Sequence, residues 1–200
     1  MKYDREDELK NRLNSFLAKS FDIAHIDYYS KLNDEAILNL KSALSDINNI
    51  LTYKVTIGLV QWIISNLNLD LETQTKLKND VLQSKPSSNG YDLLLSSPIK
   101  LIAEVKCNIP VNNGSKYGAA QKLGIQKDIQ GLLNGKSKSK VNHLDYLKFM
   151  AFLDIPTIRE ANTHMMKSKN TLKDSLVFID DKQSFDKRLD VVYGIYIPLR

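Results

Sequence analysis

Asn89-Gly90-Tyr91-Asp92-Leu93-Leu94-Leu95-Ser96-Ser97-Pro98-Ile99-Lys100-Leu101-Ile102-Ala103-Glu104-Val105-Lys106-Cys107-Asn108 is the stretch that decides the fold. Two short apolar runs, Tyr91 to Leu95 and Ile99 to Cys107, flank the turn-forming Ser96-Ser97-Pro98, a pattern that predicts a β-hairpin. Side chains along a strand alternate between faces. In the second strand Leu101, Ala103, Val105 and Cys107 fall on one face, which is apolar. Ile102, Glu104, Lys106 and Asn108 fall on the other, so Glu104 and Lys106 project together.

A hairpin centred on Pro98 pairs residues whose numbers sum to 196, which sets Asp92 opposite Glu104. Opposed side chains have Cβ atoms about 4.5–5.5 Å apart, and like charges there are destabilising. A divalent cation between the carboxylates resolves the conflict. Two carboxylates plus water and substrate oxygens suit Mg²⁺, a hard ion that keeps several waters. Lys106 beside them is placed to stabilise a phosphate oxygen or to orient an attacking water. Hydrolysis of a phosphodiester calls for this grouping: a cation that neutralises charge on the phosphate and activates water, and a lysine for the charge that develops in the transition state.

Outward from the hairpin, the N-terminal side is helical. Leu9, Leu13, Phe16 and Leu17 mark one helix face. Asn33 is an expected N-cap, with Asp34 and Glu35 in the first turn, and Ile37, Leu40, Leu44 and Ile47 continue that helix. A third apolar segment spans Tyr53 to Leu67, and Asp70 caps a fourth helix bearing Leu77, Val81 and Leu82. Lys85 to Gly90 is a turn-rich connector. Beyond the hairpin come a polar loop, Ile109 to Gly118, and a helix, Ala119 to Leu133, ended by Asn134-Gly135. Strands are expected at Tyr146–Leu153, Leu176–Ile179 and Val191–Ile197, with a helix at Thr157–Lys167. Helices followed by mixed strands and helices predict an α/β or α+β single domain, residues 1–85 forming a helical part and 86–200 the core.

The 200 residues carry a net charge of +5, which permits a polyanionic partner without requiring one. A single cysteine, Cys107, excludes an internal disulfide framework and fits a reducing compartment. The charged N-terminus is not a secretory leader, and no apolar run reaches the ~18 residues of a membrane helix. His25, His143 and His164 lack zinc-ligand spacing, and no phosphate-binding glycine loop is present. Asn112, Asn113, Ser115, Lys116 and Tyr117 are candidates for contacting bases or phosphates, as are Lys122, Lys136, Lys138 and Lys140 for phosphates; solvated loops are the alternative.

Asp92 followed by Glu104-Val105-Lys106 on the next strand resembles the PD-(D/E)xK nuclease superfamily, which contains most type II restriction endonucleases. The resemblance covers roughly Asn89 to Leu153. It implies a restriction-endonuclease-like mixed sheet flanked by helices, with Ala119–Leu133 as the helix after the lysine strand. It implies catalysis by Asp92, Glu104 and Lys106, Mg²⁺ held by Asp92, Glu104 and the Val105 carbonyl, and, more weakly, a role for Gln121 near the DNA. No proline adjoins Asp92, and the family's first core strand is not located in the sequence. The compact chain, starting at Met1 without a helicase or ATPase segment, favours a restriction endonuclease of the prokaryotic cytoplasm, acting on duplex DNA as a homodimer. A repair or junction-resolving nuclease of the same superfamily, and a DNA-binding module without catalysis, are the alternatives.

Overall fold

The computed structural model describes residues 4–83, 90–97, 99–111, 114–167, 174–179 and 186–199. The chain divides into two compact units, Met1–Asn48 and Asn49–Arg200.

In the first unit, α1 (Arg5–Phe21) starts at Asp4, whose carboxylate accepts from the N–H groups of Glu6 (2.9 Å) and Asp7 (3.2 Å). Asn14, buried, accepts from the Tyr29 N–H at 3.0 Å and donates to Asp27 at 3.1 Å, fixing the short 3-10 turn Tyr29–Lys31. Helix α2 (Asp34–Asn66) begins as expected at Asn33, which accepts from the Ala36 N–H at 2.8 Å. Its first half belongs to this unit. Leu9, Phe16, Ile37, Leu44 and Ile47 are each about half exposed.

The expected break between the helix bearing Ile47 and the segment from Tyr53 is absent: α2 runs through both. No glycine or proline lies between Asp34 and Ile57, so nothing in the backbone stops the helix. What changes is burial. From Val55 onward Val55, Leu59, Val60, Trp62 and Ile63 enter the core. Helix α3 (Leu71–Gln83) is capped by Asp70, which accepts from the Thr73 N–H at 2.8 Å, and it buries Leu77 and Val81. The second half of α2 and α3 thus join the same core as the strands, within the unit that begins at Asn49.

The second unit is α/β. Among the described residues it has five strands, β1 (Leu93–Leu95), β2 (Leu101–Lys106), β3 (Leu147–Leu153), β4 (Leu176–Phe178) and β5 (Val192–Ile197), in the order β1-β2-β3-β5-β4. β1 is antiparallel to β2; all other neighbours are parallel. Helix α4 (Ala119–Asn134) connects β2 to β3, and α5 (Pro156–Lys167) follows β3. Pro156 opens α5, one residue before the expected start, at the position where its missing N–H is not needed. β3 is buried along its whole length, as a central parallel strand covered on both faces must be.

The face carrying Ala103 and Phe149 is covered by α2: Trp62 meets Phe149 edge-on at 5.8 Å, and Gly58 leaves room for Ile197. The opposite face, carrying Glu104 and Lys106, also carries Phe152, Phe178 and Tyr196. It packs against α4 and α5. There Asn162 of α5 donates to the Tyr196 hydroxyl and accepts from that of Tyr117. Lys148, an unexpected cation within the apolar β3 run, is 1 % exposed; its Nζ donates to the carbonyls of Tyr146 (2.8 Å) and Leu189 (2.7 Å). Burial pushes its pKa down, and the two carbonyls supply the partners a buried ammonium needs.

Candidate active site

The hairpin has the expected register: Leu93 pairs with Ala103, Leu94 with Ile102 and Leu95 with Leu101. Pro98 lies outside the described residues. Regular pairing stops at Leu93, one residue short of Asp92. There the Asp92 N–H donates to the Ala103 carbonyl at 3.1 Å, and its carboxylate takes the Val105 N–H at 2.8 Å. These two bonds clamp Asp92 against β2 and orient its carboxylate. Gly90, at φ +82°, supplies the backbone turn just before it, a conformation other residues rarely adopt.

Glu104 projects from the middle of β2 toward α4 and is 5 % exposed. Burial, and then the nearby Asp92 charge, push its pKa from the ordinary 4.5 up to about 7, against the pull of Lys136. Lys106, two residues on and on the same face, ion-pairs with Asp128 of α4. Asp128 is also 3.7 Å from Lys136, whose Nζ lies 2.6 Å from Glu104 Oε1 and 5.4 Å from the centre of the Tyr91 ring. Burial works against the Lys136 ammonium, but Glu104, Asp128 and Asp92 together raise its pKa.

Asp92, Glu104 and Lys106 are therefore brought together, and two residues join them that sequence reasoning did not place there. Asp128 lies between the inward Ile125 and Ile129 on α4, and its position beside a buried helical stripe was the available signal. Lys136 was expected as a phosphate contact or as part of a solvated basic loop. Instead the turn after α4, closed by a Ser139 N–H bond to the Lys136 carbonyl at 2.9 Å, packs its Lys138 and Ser139 against Gly90. Lys136 is thereby an interior ion-pair partner.

Tyr117 is corrected: it is 4 % exposed, and its hydroxyl donates to Asn162 at 3.2 Å, so it is a core residue and not a DNA contact. Gln121 is engaged at the start of α4, accepting from the Gly118 N–H at 3.0 Å and donating to the Ile109 carbonyl at 2.8 Å. Lys116, Lys138 and Lys140 are exposed and Ser115 and Lys122 half-buried; Asn112 and Asn113 lie outside the described residues. Cys107 is half-buried, and burial pushes its thiol up to about 11, so it is not a ready nucleophile.

Three carboxylates thus face two ammonium groups in a partly buried site, with Glu104 the most deeply buried of them. Among the described residues no group of three or more carboxylate, imidazole or thiol ligands converges on one point. Asp92 and Glu104 are the two carboxylates that would hold a cation here. Their hard oxygens, the Asp92 charge that adds to burial in raising Glu104, and the excess of one carboxylate all fit a divalent ion that keeps several waters.

No family model, curated protein or solved structure matches the chain. Among the described residues no helix is long and apolar enough to cross a membrane.

Proposed function

We propose that the chain is a Mg²⁺-dependent endonuclease of the PD-(D/E)xK superfamily that hydrolyses phosphodiester bonds in duplex DNA, with Asp92, Glu104 and Lys106 as its catalytic residues. The observation that carries this reading is the convergence of an oriented aspartate, a buried glutamate and a lysine on neighbouring strands, with charge unbalanced in the direction a cation would correct. The mixed five-stranded sheet, with a helix directly after the lysine strand, supports a restriction-endonuclease-like fold.

Mg²⁺ held by Asp92, Glu104 and the Val105 carbonyl would supply Lewis-acid charge to the phosphate and activate water. The chain's own residues do the rest. Asp92 is fixed by the Val105 N–H, so its oxygen need not reorganise. Lys106 offers an ammonium to the phosphate oxygen on which charge develops. Asp128 is a positioning residue that holds Lys106 through their ion pair. For Asp128→Asn we expect single-turnover cleavage to slow by about 10–100-fold, as when a residue supporting a metal-site group is lost. The effect should largely vanish when Lys106 is already Ala, which a purely structural role for Asp128 would not produce.

A site-specific restriction endonuclease is the favoured form, and a homodimer follows because one such site cuts one strand. The apolar side chains left exposed on the first unit, Leu9, Phe16, Ile37, Leu44 and Ile47, support burial against a second copy. Sedimentation should give a dimer with DNA; monomer alone, with and without DNA, contradicts the homodimer.

The reading as a whole is tested on long DNA of varied sequence with Mg²⁺ or EDTA. Discrete fragments that appear only with Mg²⁺ are the expected result, and sequencing their ends gives the site. Preference for branched over linear duplex would favour a repair or junction-resolving nuclease. Binding without cleavage, and with no Mg²⁺-linked stabilisation, would favour a non-catalytic module.

A further inference from the structure

Lys136 occupies a position that the proposed function leaves unexplained. Its Nζ is 2.6 Å from Glu104 Oε1, so the lysine already neutralises one of the two carboxylates a metal would use. Lys106 does not take this place because Asp128 holds it. Lys136 is also built in, not draped over the surface. Its stem lies on Gly131, where an added Cβ would meet Lys136 Cε at 2.9 Å and Cγ at 3.2 Å, so the absence of a side chain on α4 makes the channel it follows. The Tyr91 ring lies beneath its ammonium, and the Tyr91 hydroxyl donates to the Gly131 carbonyl at 3.4 Å. Gly90 packs against the same turn through Lys138 and Ser139.

We propose that Lys136 is an internal counter-ion that holds the divalent-cation position closed in the free protein, and that it must leave Glu104 for the metal to bind. This rests on the reading of Asp92 and Glu104 as metal ligands. An ammonium and a divalent ion repel each other at ligand distance, and the repulsion is large where water is excluded. Released, the ammonium has Asp128 Oδ1 as its next acceptor, already 3.7 Å away, and a DNA phosphate, when bound, as a further anionic one. Metal affinity is then low in the free protein and rises when a phosphate draws Lys136 off, which couples loading of the cation to engagement of DNA.

The test is titration of the intact protein with Mg²⁺ alone, followed by calorimetry and by thermal stability. Four variants are compared with the natural chain. Lys136→Gln removes the counter-ion. Gly131→Ala leaves it present but fills its channel, and is expected to fold because alanine suits a helix interior better than glycine. Lys136→Arg keeps the charge, and Asp92→Asn removes a ligand. Lys136→Gln and Gly131→Ala should each bind Mg²⁺ roughly tenfold more tightly than the natural chain, as expected for relief of a nearby like charge. Lys136→Arg should gain nothing, and Asp92→Asn should not bind. If the natural chain binds Mg²⁺ and both Lys136→Gln and Gly131→Ala bind it no better, the counter-ion role is overturned while the metal site stands. If neither the natural chain nor any variant binds Mg²⁺, the ligand reading of Asp92 and Glu104 fails, and the counter-ion role with it.

Discussion

Asp92→Asn is expected to lower Mg²⁺-dependent cleavage by on the order of a thousandfold, the scale on which losing one preorganised charge-stabilising group is felt. The substitution is nearly isosteric. An amide oxygen can still accept the Val105 N–H that Asp92 now takes at 2.8 Å, so the hairpin should survive and stability should change by less than about 1 kcal/mol. What disappears is the charge. The natural chain should therefore gain roughly 1.4 kcal/mol of stability when Mg²⁺ stands at ten times its Kd, and the variant nothing. Cleavage assays paired with urea unfolding, with and without Mg²⁺, separate the two effects. Equal Mg²⁺ stabilisation in both proteins would place the ion elsewhere.

Glu104→Gln should produce an inactive protein that is more stable than the natural one at high pH. Glu104 is raised from 4.5 to about 7, so between those values the folded chain keeps a proton that the unfolded chain has released. Its contribution to stability is greatest below about pH 4.5. It falls as pH rises toward 7 and is flat above that. The span corresponds to about 3 kcal/mol. Glutamine removes the buried charge and can still bond to Lys136, which retains Asp128 at 3.7 Å. Loss of the ion pair with Lys136 offsets part of the gain. The variant should thus be roughly 1–3 kcal/mol more stable at pH 8 and little changed at pH 4.5. Urea midpoints at the two pH values give the comparison. Destabilisation by Glu104→Gln at pH 8 would mean that the Lys136 pair outweighs the repulsion from Asp92. Such an exchange of stability for a charged, strained site is the usual one in active sites.

The hairpin was legible because its information is local. A turn signal between two apolar runs set the register, and strand alternation then put Glu104 and Lys106 on one face. The helix starts at Asn33 and Asp70 were legible for the same reason, since a cap acts on N–H groups two or three residues away. The continuity of α2 was missed because its apolar pattern changes at Val55 from a mostly exposed face to a buried one, and periodicity mistakes such a change for a break. Asp128 and Lys136 were missed for a different reason. Lys136 is 32 positions from Glu104 in sequence, and the pair forms only because α4 folds back over β2. Nothing in the composition of Gly135 to Lys140 distinguishes an ammonium turned inward from one in solvent. Lys148 shows the same limit, being an interior lysine satisfied by two carbonyls, one of them distant in the chain.

The most direct test of the account is cleavage of supercoiled plasmid by the natural chain and by Lys106→Ala, side by side in Mg²⁺. Lys106 is not proposed as a ligand, and its partner Asp128 is only partly buried. Removing it should therefore leave folding and metal binding largely intact. The natural chain should convert the plasmid to linear or discrete products, and Lys106→Ala should do so at least about a hundredfold more slowly, with a similar melting temperature. Equal rates from the two proteins would contradict the assignment of Asp92, Glu104 and Lys106 as the active site.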